Sequence, residues 1–310
     1  MASRLAAALL PFGVLLLAAN ANPLAPRQSA DANITALTDA EIDLFTPYSY
    51  YAAAAYCPPN TTLAWNCSTN CDANPGFKPI ASGGDGGATQ FWYVGYDAAL
   101  QTVVVAHQGT SNNILSILTD ATFALGPLNA TLFPNIPAGI RVHSGFANAQ
   151  ARTAETILST VKHALSVSGL SKVTIVGHSL GAAISLLDAA YLPLQLPGVT
   201  FKTILSGMLP LRRSSAPVTP SATSATEKIW SPFCQDPGWD TASRPARSTS
   251  TQDSGTWYAC PGVDNTSKLC TAGAVPTLLQ GKTSDHAGPY NGVEIRCPSP
   301  SSLGANPQSQ

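Results

Sequence analysis

The segment G-H-S-L-G at 177–181 limits the folds open to this chain more than any other stretch. It stands between a short apolar run at 172–176, which predicts a buried strand, and a strong helix pattern at 180–192. In a G-x-S-x-G segment of this kind, the serine occupies a sharp strand-to-helix turn that lifts its hydroxyl out of the sheet. Glycines are expected on both sides because larger side chains would collide across the turn. The segment therefore predicts a nucleophilic serine, Ser179.

The start of that helix supplies a second element of the predicted site. The first N–H groups of a helix have no partner within the helix and carry partial positive charge. The backbone N–H of Leu180, directly after Ser179, would face the position where negative charge develops on a substrate oxygen. We therefore expect Leu180 to act through its backbone as an oxyanion donor.

Alternating strand and helix patterns surround this turn. A capping box of Thr38 and Glu41 opens a helix that runs towards Tyr56, and apolar residues at steps of three and four predict a second helix at 144–168. The continuous apolar run at 103–105 predicts a strand buried on both faces. The predicted strands are 89–96, 101–107, 172–176 and 201–205, with a hairpin at 97–100. Such alternation predicts an α/β fold with a mainly parallel central sheet and helices on both faces.

Composition excludes several classes of protein. The chain has 310 residues, a formal net charge of -1 and only 11% charged residues. Nucleic-acid binders neutralise phosphates with clustered lysine and arginine, and this chain has no basic run, so we expect no nucleic-acid partner. A mean hydropathy of +0.09 excludes a polytopic membrane protein. The length is sufficient for one large domain or two small ones, and for a substantial core.

The N-terminus has the organisation of a secretory signal. Arg4 precedes an apolar run at 5–18, and A-N-A at 19–21 forms a cleavage site. A transmembrane anchor is the alternative, but the run is short for a bilayer and contains a proline and a glycine. We therefore expect a secreted, extracellular protein without a transmembrane anchor. Its predicted segments are a signal peptide at 1–21, a short propeptide or N-terminal tail at 22–37, one domain at 38–297 and a disordered tail at 298–310.

Export to an oxidising compartment determines how the cysteines are interpreted. The chain has seven cysteines, and in a secreted protein these more often form disulfides than bind metal. The pair at 67 and 71 has no second pair or histidine cluster to complete a zinc site. Five N-x-S/T sequons predict a glycosylated surface. They begin at Asn33, Asn60, Asn66, Asn129 and Asn265.

Two motifs together resemble the fungal class 3 lipases, the Rhizomucor-type α/β-hydrolases. V-H-S-G-F at 142–146 is followed by a long helix and then by V-T-I-V-G-H-S-L-G-A-A at 173–183. The resemblance implies an α/β-hydrolase fold, ester hydrolysis and a lid over the site, which the apolar cluster at 114–118 would form. His143 and His178 within these motifs are expected to be packing residues.

The resemblance also implies the remaining site residues. H-Q-G-T at 107–110 stands where the family commonly has R-G-[ST], so Thr110 would be the second oxyanion donor through its N–H and hydroxyl. Gln108 departs from the usual arginine. His286 matches the catalytic histidine in the family's H-x-x-Y-x-G segment before a last cysteine. It would take the proton from Ser179 and return it to the leaving alcohol.

The carboxylate that would orient this histidine is missing from its expected position. The family places it in D-x-V-P-x-x-P after the strand that follows the nucleophile helix, and this chain lacks that motif. Residues 208–251 contain 20 Ser, Thr or Pro in 44 and show no strand or helix pattern, as is typical of a linker. Asp236 and Asp240 are the candidate acids, although neither follows a recognisable strand. Asp285, next to the histidine, is expected to point elsewhere.

A shift of reading frame would account for the missing motif. Residues 227–240 can be written with codons that, in another frame, encode K-D-L-V-P-I-L-P-G-S-G-M-G. We hypothesise that 208–251 is a misframed segment. Cys234 lies within it, and six cysteines remain without it. The pairs that we then expect are Cys57–Cys297, Cys67–Cys71 and Cys260–Cys270.

The motifs and the resemblance together predict a secreted serine ester hydrolase that acts on lipid esters at a lipid–water interface, as triacylglycerol lipases do. No metal or cofactor is expected. Two alternatives stay open. One is a feruloyl-type or small-ester carboxylesterase on the same fold, which a shorter and more polar lid would favour. The other is a catalytically impaired remnant that lacks the triad acid.

Overall fold

The computed structural model describes residues 34–110, 125–134, 136, 140–207, 241–243, 256–260, 267–270, 274 and 286–298. Several predictions concern residues outside this described part of the chain. They are the signal peptide at 1–21, the lid cluster at 114–118, the candidate acids Asp236 and Asp240, Cys234 and most of the C-terminal tail.

The described helices are α1 (Asp39–Asp43), α2 (Thr46–Ala54), α3 (Pro59–Ala64), α4 (Thr69–Asp72), α5 (Ser144–Ser168) and α6 (Leu180–Gln195). The described strands are β1 (Thr35–Ala36), β2 (Phe77–Gly83), β3 (Trp92–Asp97), β4 (Thr102–His107), β5 (Leu125–Pro127), β6 (Arg141–His143), β7 (Lys172–His178), β8 (Thr200–Ser206), β9 (Thr241–Ser243) and β10 (Tyr258–Cys260). No helix among the described residues is both long enough and apolar enough to cross a membrane.

The central sheet has the strand order β2-β3-β4-β7-β8. The pairs β4–β7 and β7–β8 are parallel, whereas β2–β3 and β3–β4 are antiparallel. Over the described strands the sheet is therefore mixed rather than mainly parallel. The reason is the short turn after β3, which Asp97 closes by accepting hydrogen bonds from the N–H groups of Ala99 and Leu100 at 2.8 and 3.0 Å. So short a connection allows only antiparallel pairing, whereas parallel neighbours need a crossover such as a helix.

Helices cover both faces of this sheet, as predicted. On one face, α5 and α6 pack against a core that includes Val103, Val105 and Ile175. On the other face, α2 packs against residues that include Val104 and Val176. The run at 103–105 is completely buried, which confirms that β4 is covered on both sides. The predicted nucleophile turn at 177–181 follows β7, in which residues 173–178 are buried as well.

Helix α5 has the bounds that the apolar periodicity of its sequence predicted. Ala154, Ile157 and Val161 lie on one face and are fully buried against the sheet. The helix ends where Gly169 adopts φ 70°, a left-handed conformation that glycine accepts without steric cost.

The N-terminal helix differs from its prediction. The capping box is present, because Thr38 Oγ1 accepts from the N–H of Glu41 and Glu41 Oε2 accepts from the N–H of Thr38. The predicted single helix is nevertheless two helices, α1 and α2, with a break at Leu44 and Phe45. Pro47 lies in the first turn of α2, and a proline is compatible with the start of a helix but not with its interior.

A second small sheet pairs β1, β10 and β9 in that order, with antiparallel neighbours. Strand β9 lies within the segment 208–251, for which we predicted no strand. Its three residues are paired through the backbone to β10, so at least this part of the segment is regular. Backbone pairing does not require an alternating apolar pattern, and the sequence therefore gave no signal for it.

All three predicted disulfides are present. The Cα–Cα distances are 4.9 Å for Cys57–Cys297, 5.1 Å for Cys67–Cys71 and 6.0 Å for Cys260–Cys270. The first of these bonds joins the chain after α2 to the C-terminal segment that carries the predicted catalytic histidine. It therefore ties two distant parts of the sequence together beside the nucleophile turn.

Candidate functional site

Ser179 lies between β7 and α6 with φ 59° and ψ −124°. A non-glycine residue with positive φ is uncommon and marks a turn that the surrounding structure enforces. A Cβ atom on Gly177 would overlap the Gly181 carbonyl, and one on Gly181 would overlap the His107 carbonyl. Both glycines are therefore required by the close approach of backbones, as the sequence predicted. The turn is held from the sheet side by a hydrogen bond from the Ser179 N–H to the Ser206 carbonyl at 3.0 Å.

Leu180 is the first residue of α6. The first helical turn is formed, because the Ser179 carbonyl accepts from the N–H groups of Ala182 and Ala183 at 3.0 and 3.2 Å. At this position the N–H of Leu180 has no acceptor within the helix. The structure thus places this N–H group directly beside Ser179, the predicted nucleophile.

The loop that would carry the second oxyanion donor packs against the same turn. A Cβ atom on Gly109 would overlap the hydroxyl of Tyr56 and would meet the His178 carbonyl at 2.6 Å. The backbone just before Thr110 is therefore pressed against the nucleophile turn. Gln108 is buried and holds this loop to the residue before β3, since it exchanges two hydrogen bonds of 2.8 Å with the backbone of Phe91. In this chain Gln108 thus anchors the loop.

His286 is brought to the nucleophile turn through its own backbone. Its carbonyl oxygen lies 2.7 Å from Nε2 of His178, the residue before Ser179, and it also accepts from the Tyr290 hydroxyl at 3.0 Å. The ring centroids of His178 and His286 are 4.7 Å apart. The structure therefore brings together Ser179, Leu180, the loop before Thr110 and His286, which are the four elements that the sequence singled out.

Burial governs the titration of His286. Desolvation lowers its pKa below the ordinary histidine value of 6.5, because a low-dielectric surrounding disfavours the charged ring. The ring Nε2 is buried and makes no hydrogen bond to any residue that the structure describes. A neutral imidazole with an available nitrogen can accept a proton, as a general base must.

His178 is more than the packing residue that we predicted. Burial, together with the neighbouring His286, lowers its pKa to about 3, so the ring is neutral at ordinary pH. A carbonyl oxygen can only accept, so Nε2 of His178 carries the proton and donates to His286. Nδ1 then accepts a hydrogen bond from the Tyr56 hydroxyl at 2.7 Å. His143, by contrast, lies at the start of α5 with its ring 4.3 Å from that of Phe146, which is consistent with packing.

Sequence reasoning missed two residues that shape this site. Tyr56 contacts both Gly109 and His178. Gly207 follows β8 with φ 57°, and a Cβ atom there would lie 2.7 Å from Nε2 of His178 and 3.0 Å from Cε1 of His286. A signal for Tyr56 was available, because it immediately precedes Cys57, the cysteine that we expected to pair close to the predicted base.

The structure describes no acid for His286. None of the carboxylates in its described residues hydrogen-bonds the ring of His286. Asp188 is buried in α6, and its two oxygens are bonded to His107 and Gln150. The described residues also contain no group of three or more His, Cys, Asp or Glu side chains placed to hold a metal ion.

Comparisons with known proteins relate this chain to lipases. Residues 104–201 match the family model for class 3 lipases. A secreted mono- and diacylglycerol lipase of Malassezia globosa is 27% identical over 199 residues, which cover 61% of this chain and 60% of that protein. A secreted mono- and diacylglycerol lipase of Fusarium solani is 31% identical over 179 residues, covering 54% of this chain and 52% of that protein. The chain therefore spans less than two thirds of the length of these curated relatives.

Solved lipase structures share the fold. Lipase II from Rhizopus niveus aligns with a TM-score of 0.62 at 21% identity, over 86% of this chain and 100% of that chain. The native Rhizomucor miehei lipase in complex with its propeptide aligns with a TM-score of 0.61 at 21% identity, over 86% of this chain and 85% of that chain. These likenesses confirm the predicted α/β-hydrolase fold.

Proposed function

We propose that this chain, a relative of the fungal class 3 lipases, is a secreted serine hydrolase that cleaves carboxylic esters of lipids. One observation carries the proposal. Ser179 occupies a turn between β7 and α6 with positive φ, and the residue before it is hydrogen-bonded to the backbone of His286. A serine presented on such a turn beside a half-buried, neutral histidine is the arrangement that acyl transfer requires.

In the proposed reaction, the Ser179 hydroxyl attacks the ester carbonyl while His286 accepts its proton. The negative charge that forms on the carbonyl oxygen is stabilised by the N–H of Leu180 and by the N–H and hydroxyl of Thr110. His286 then returns the proton to the leaving alcohol, which frees the alcohol and leaves an acyl group on Ser179. Water, activated by His286, releases the acid in the second half of the reaction.

Acylglycerols are the substrate class that we propose. Several relatives are named secreted mono- and diacylglycerol lipases, from Malassezia globosa and Fusarium solani. The physical argument from this chain is that the groups of the site that the structure describes, a hydroxyl, an imidazole and backbone N–H donors, are all neutral. Such groups suit an uncharged ester, and none of the described residues that form the site carries a positive charge.

The proposal is tested with the purified secreted protein on two classes of ester. Release of fatty acid from emulsified monoolein and diolein is compared with hydrolysis of methyl ferulate at equal enzyme concentration. We expect the acylglycerols to be cleaved faster. Preferential hydrolysis of methyl ferulate would instead support the feruloyl-type esterase, and no hydrolysis of any ester, together with no covalent labelling of Ser179, would contradict the proposal.

A second candidate function is a serine hydrolase of strongly reduced turnover. Its support is that none of the described carboxylates hydrogen-bonds His286. Loss of the orienting acid from a catalytic triad can lower turnover by about 10⁴. Such a protein would still form one covalent bond at Ser179 with a reactive phosphonate, so labelling distinguishes it from a chain without a functional nucleophile.

A further inference from the structure

We propose that Tyr56 and His178 form a positioning pair. The pair holds the base, His286, and the loop at 108–110, the oxyanion loop, in register with the nucleophile turn at 177–181. This inference rests on the proposed function and extends it to two residues that do not themselves react. Its basis is a continuous series of contacts from Gly109 through Tyr56 and His178 to the carbonyl oxygen of His286.

The direction of every hydrogen bond in this series follows from the chemistry of its ends. The His286 carbonyl can only accept, so Nε2 of His178 donates to it at 2.7 Å. The ring is neutral, so Nδ1 carries a lone pair and the Tyr56 hydroxyl donates to it at 2.7 Å. Tyr56 therefore selects the tautomer of His178 that can hold His286.

The other side of Tyr56 reaches the oxyanion loop. Its hydroxyl lies so close to Gly109 that no side chain fits at that position. The backbone N–H of Gly109 is also close enough to act on the phenol and to lower its pKa, against the larger opposing effect of burial. A single side chain thus contacts the loop that ends at Thr110 and the ring that precedes Ser179.

Both ends of the series are fixed by the rest of the fold. Tyr56 is followed by Cys57, whose disulfide to Cys297 anchors the segment that carries His286. That segment is also closed by a hydrogen bond from the Ile295 N–H to the Ala287 carbonyl at 2.8 Å. Because these covalent and hydrogen bonds hold Tyr56 and the segment of His286 in place, the phenol and the imidazole between them determine the position of the base.

His178 does not exchange protons with substrate in this proposal. Both of its ring nitrogens are engaged by protein groups, one by Tyr56 and one by His286. Its removal should therefore change the rate of the reacting step and leave the affinity for substrate unchanged. A residue that contributed only to folding would not separate these two quantities.

The test uses a p-nitrophenyl alkylphosphonate, which reacts once with the intact protein. The Ser179 oxygen forms a bond to phosphorus, p-nitrophenolate leaves with the electron pair of the broken P–O bond, and the serine proton passes to His286. The dependence of the rate on reagent concentration gives the affinity for the reagent and the rate at saturation separately. Mass spectrometry of the labelled peptide confirms the site.

We expect Tyr56→Phe to lower the rate at saturation by about tenfold, the effect of one lost hydrogen bond, with unchanged affinity. Tyr50→Phe is the matched control, because Tyr50 is a half-buried tyrosine of α2 whose hydroxyl bonds none of the described residues. It should react like the parent. Equal rates for Tyr56→Phe and the parent would overturn the inference, whereas failure of the parent to be labelled at Ser179 would contradict the proposed function instead.

Two substitutions of His178 distinguish its hydrogen bond to Tyr56 from its hydrogen bond to His286. Glutamine places its amide nitrogen near the Nε2 position and can still donate to His286. Asparagine places its amide oxygen near the Nδ1 position and can accept only from Tyr56. We expect His178→Gln to keep a faster saturated rate than His178→Asn, and the reverse order would refute the inference.

A measurement on the unsubstituted protein covers the case in which a variant does not fold. Nitrogen-15 NMR of histidine-labelled protein reports which ring nitrogen carries the proton. We expect one of the five histidines, assigned to His178, to be neutral and protonated at Nε2 at pH 6. A ring protonated at Nδ1, or at both nitrogens, would show that Tyr56 and His286 do not hold it as proposed.

Discussion

Nε2 of His107 lies 2.8 Å from Oδ2 of Asp188, and both side chains are buried. His107 ends β4 immediately before the oxyanion loop, and Asp188 belongs to α6, which begins after the nucleophile. Nε2 of Gln150 in α5 donates to the second carboxylate oxygen at 2.9 Å. One carboxylate therefore joins the three elements that support the site.

Replacing this carboxylate should destabilise the fold. In Asp188→Asn, an amide NH₂ replaces one of the two carboxylate oxygens. It cannot accept the hydrogen bond that this oxygen received, so a buried polar group loses its partner. We expect a loss of about 2–4 kcal/mol in the free energy of unfolding, measured by urea denaturation. Glu155→Gln, an exposed change in α5, should stay within about 0.5 kcal/mol of the parent. Equal stability of the two variants would show that the buried network is dispensable.

Ser179→Ala should abolish covalent labelling and ester hydrolysis while it leaves the fold intact. The serine side chain makes no hydrogen bond to the described residues, and the strained backbone at φ 59° is the same for alanine. We expect turnover to fall by at least about 10³ with an unchanged melting temperature. Ser159→Ala, an exposed serine of α5, is the control. Hydrolysis near the parent rate would exclude Ser179 as the nucleophile.

The pH dependence of Ser179 labelling should reflect the lowered pKa of His286. The protonated ring cannot accept the serine proton, so the rate rises as pH increases through the pKa of His286. Because burial lowers that pKa, the midpoint should lie on the acidic side of 6.5. Rates of phosphonate labelling between pH 4 and 8 measure it. A midpoint at or above pH 6.5 would mean that the base is more solvated or is paired with a carboxylate.

Two of the disulfides should differ in how much they contribute to the free energy of unfolding. Removing Cys57–Cys297, which spans 240 residues, should cost about 2–5 kcal/mol in unfolding free energy because it releases a long loop in the unfolded chain. Removing Cys67–Cys71, with a separation of 4 residues, should cost less. Paired Cys→Ser variants compared by thermal unfolding test this order. The first variant should also label more slowly at Ser179, since the bond anchors the segment of His286.

The hypothesis of a misframed segment makes a direct prediction about activity. A chain in which residues 227–240 are replaced by a sequence containing K-D-L-V-P-I-L-P would regain an acid in the family's D-x-V-P-x-x-P context. Since an oriented histidine can be worth about 10⁴ in turnover, this chain should hydrolyse monoolein far faster than the parent. If the parent is fully active, and Asp236→Asn or Asp240→Asn inactivates it, the hypothesis fails and that aspartate is the acid.

Local sequence patterns determined much of this protein. The glycines of the nucleophile turn, the capping box of Thr38 and Glu41, the amphipathic helix α5 and the buried strand β4 all follow from short-range sterics and periodicity. The family resemblance added His286 and the three disulfide pairs. The structure confirms these elements and the three disulfide pairs, whereas the catalytic role of His286 stays a prediction. The elements could be predicted because each depends on residues within one short stretch of the chain.

Only the tertiary structure showed how these parts contact one another. Tyr56 and His178 are 122 positions apart in the sequence, and no periodic pattern links them, yet their side chains share a hydrogen bond. The same holds for His107 and Asp188, which lie on different elements 81 positions apart. The combination of parallel and antiparallel strand pairs in the central sheet likewise depends on which strands become neighbours. Sequence fixes an element through its local backbone, whereas a contact between distant side chains exists only after the sheet and helices have packed.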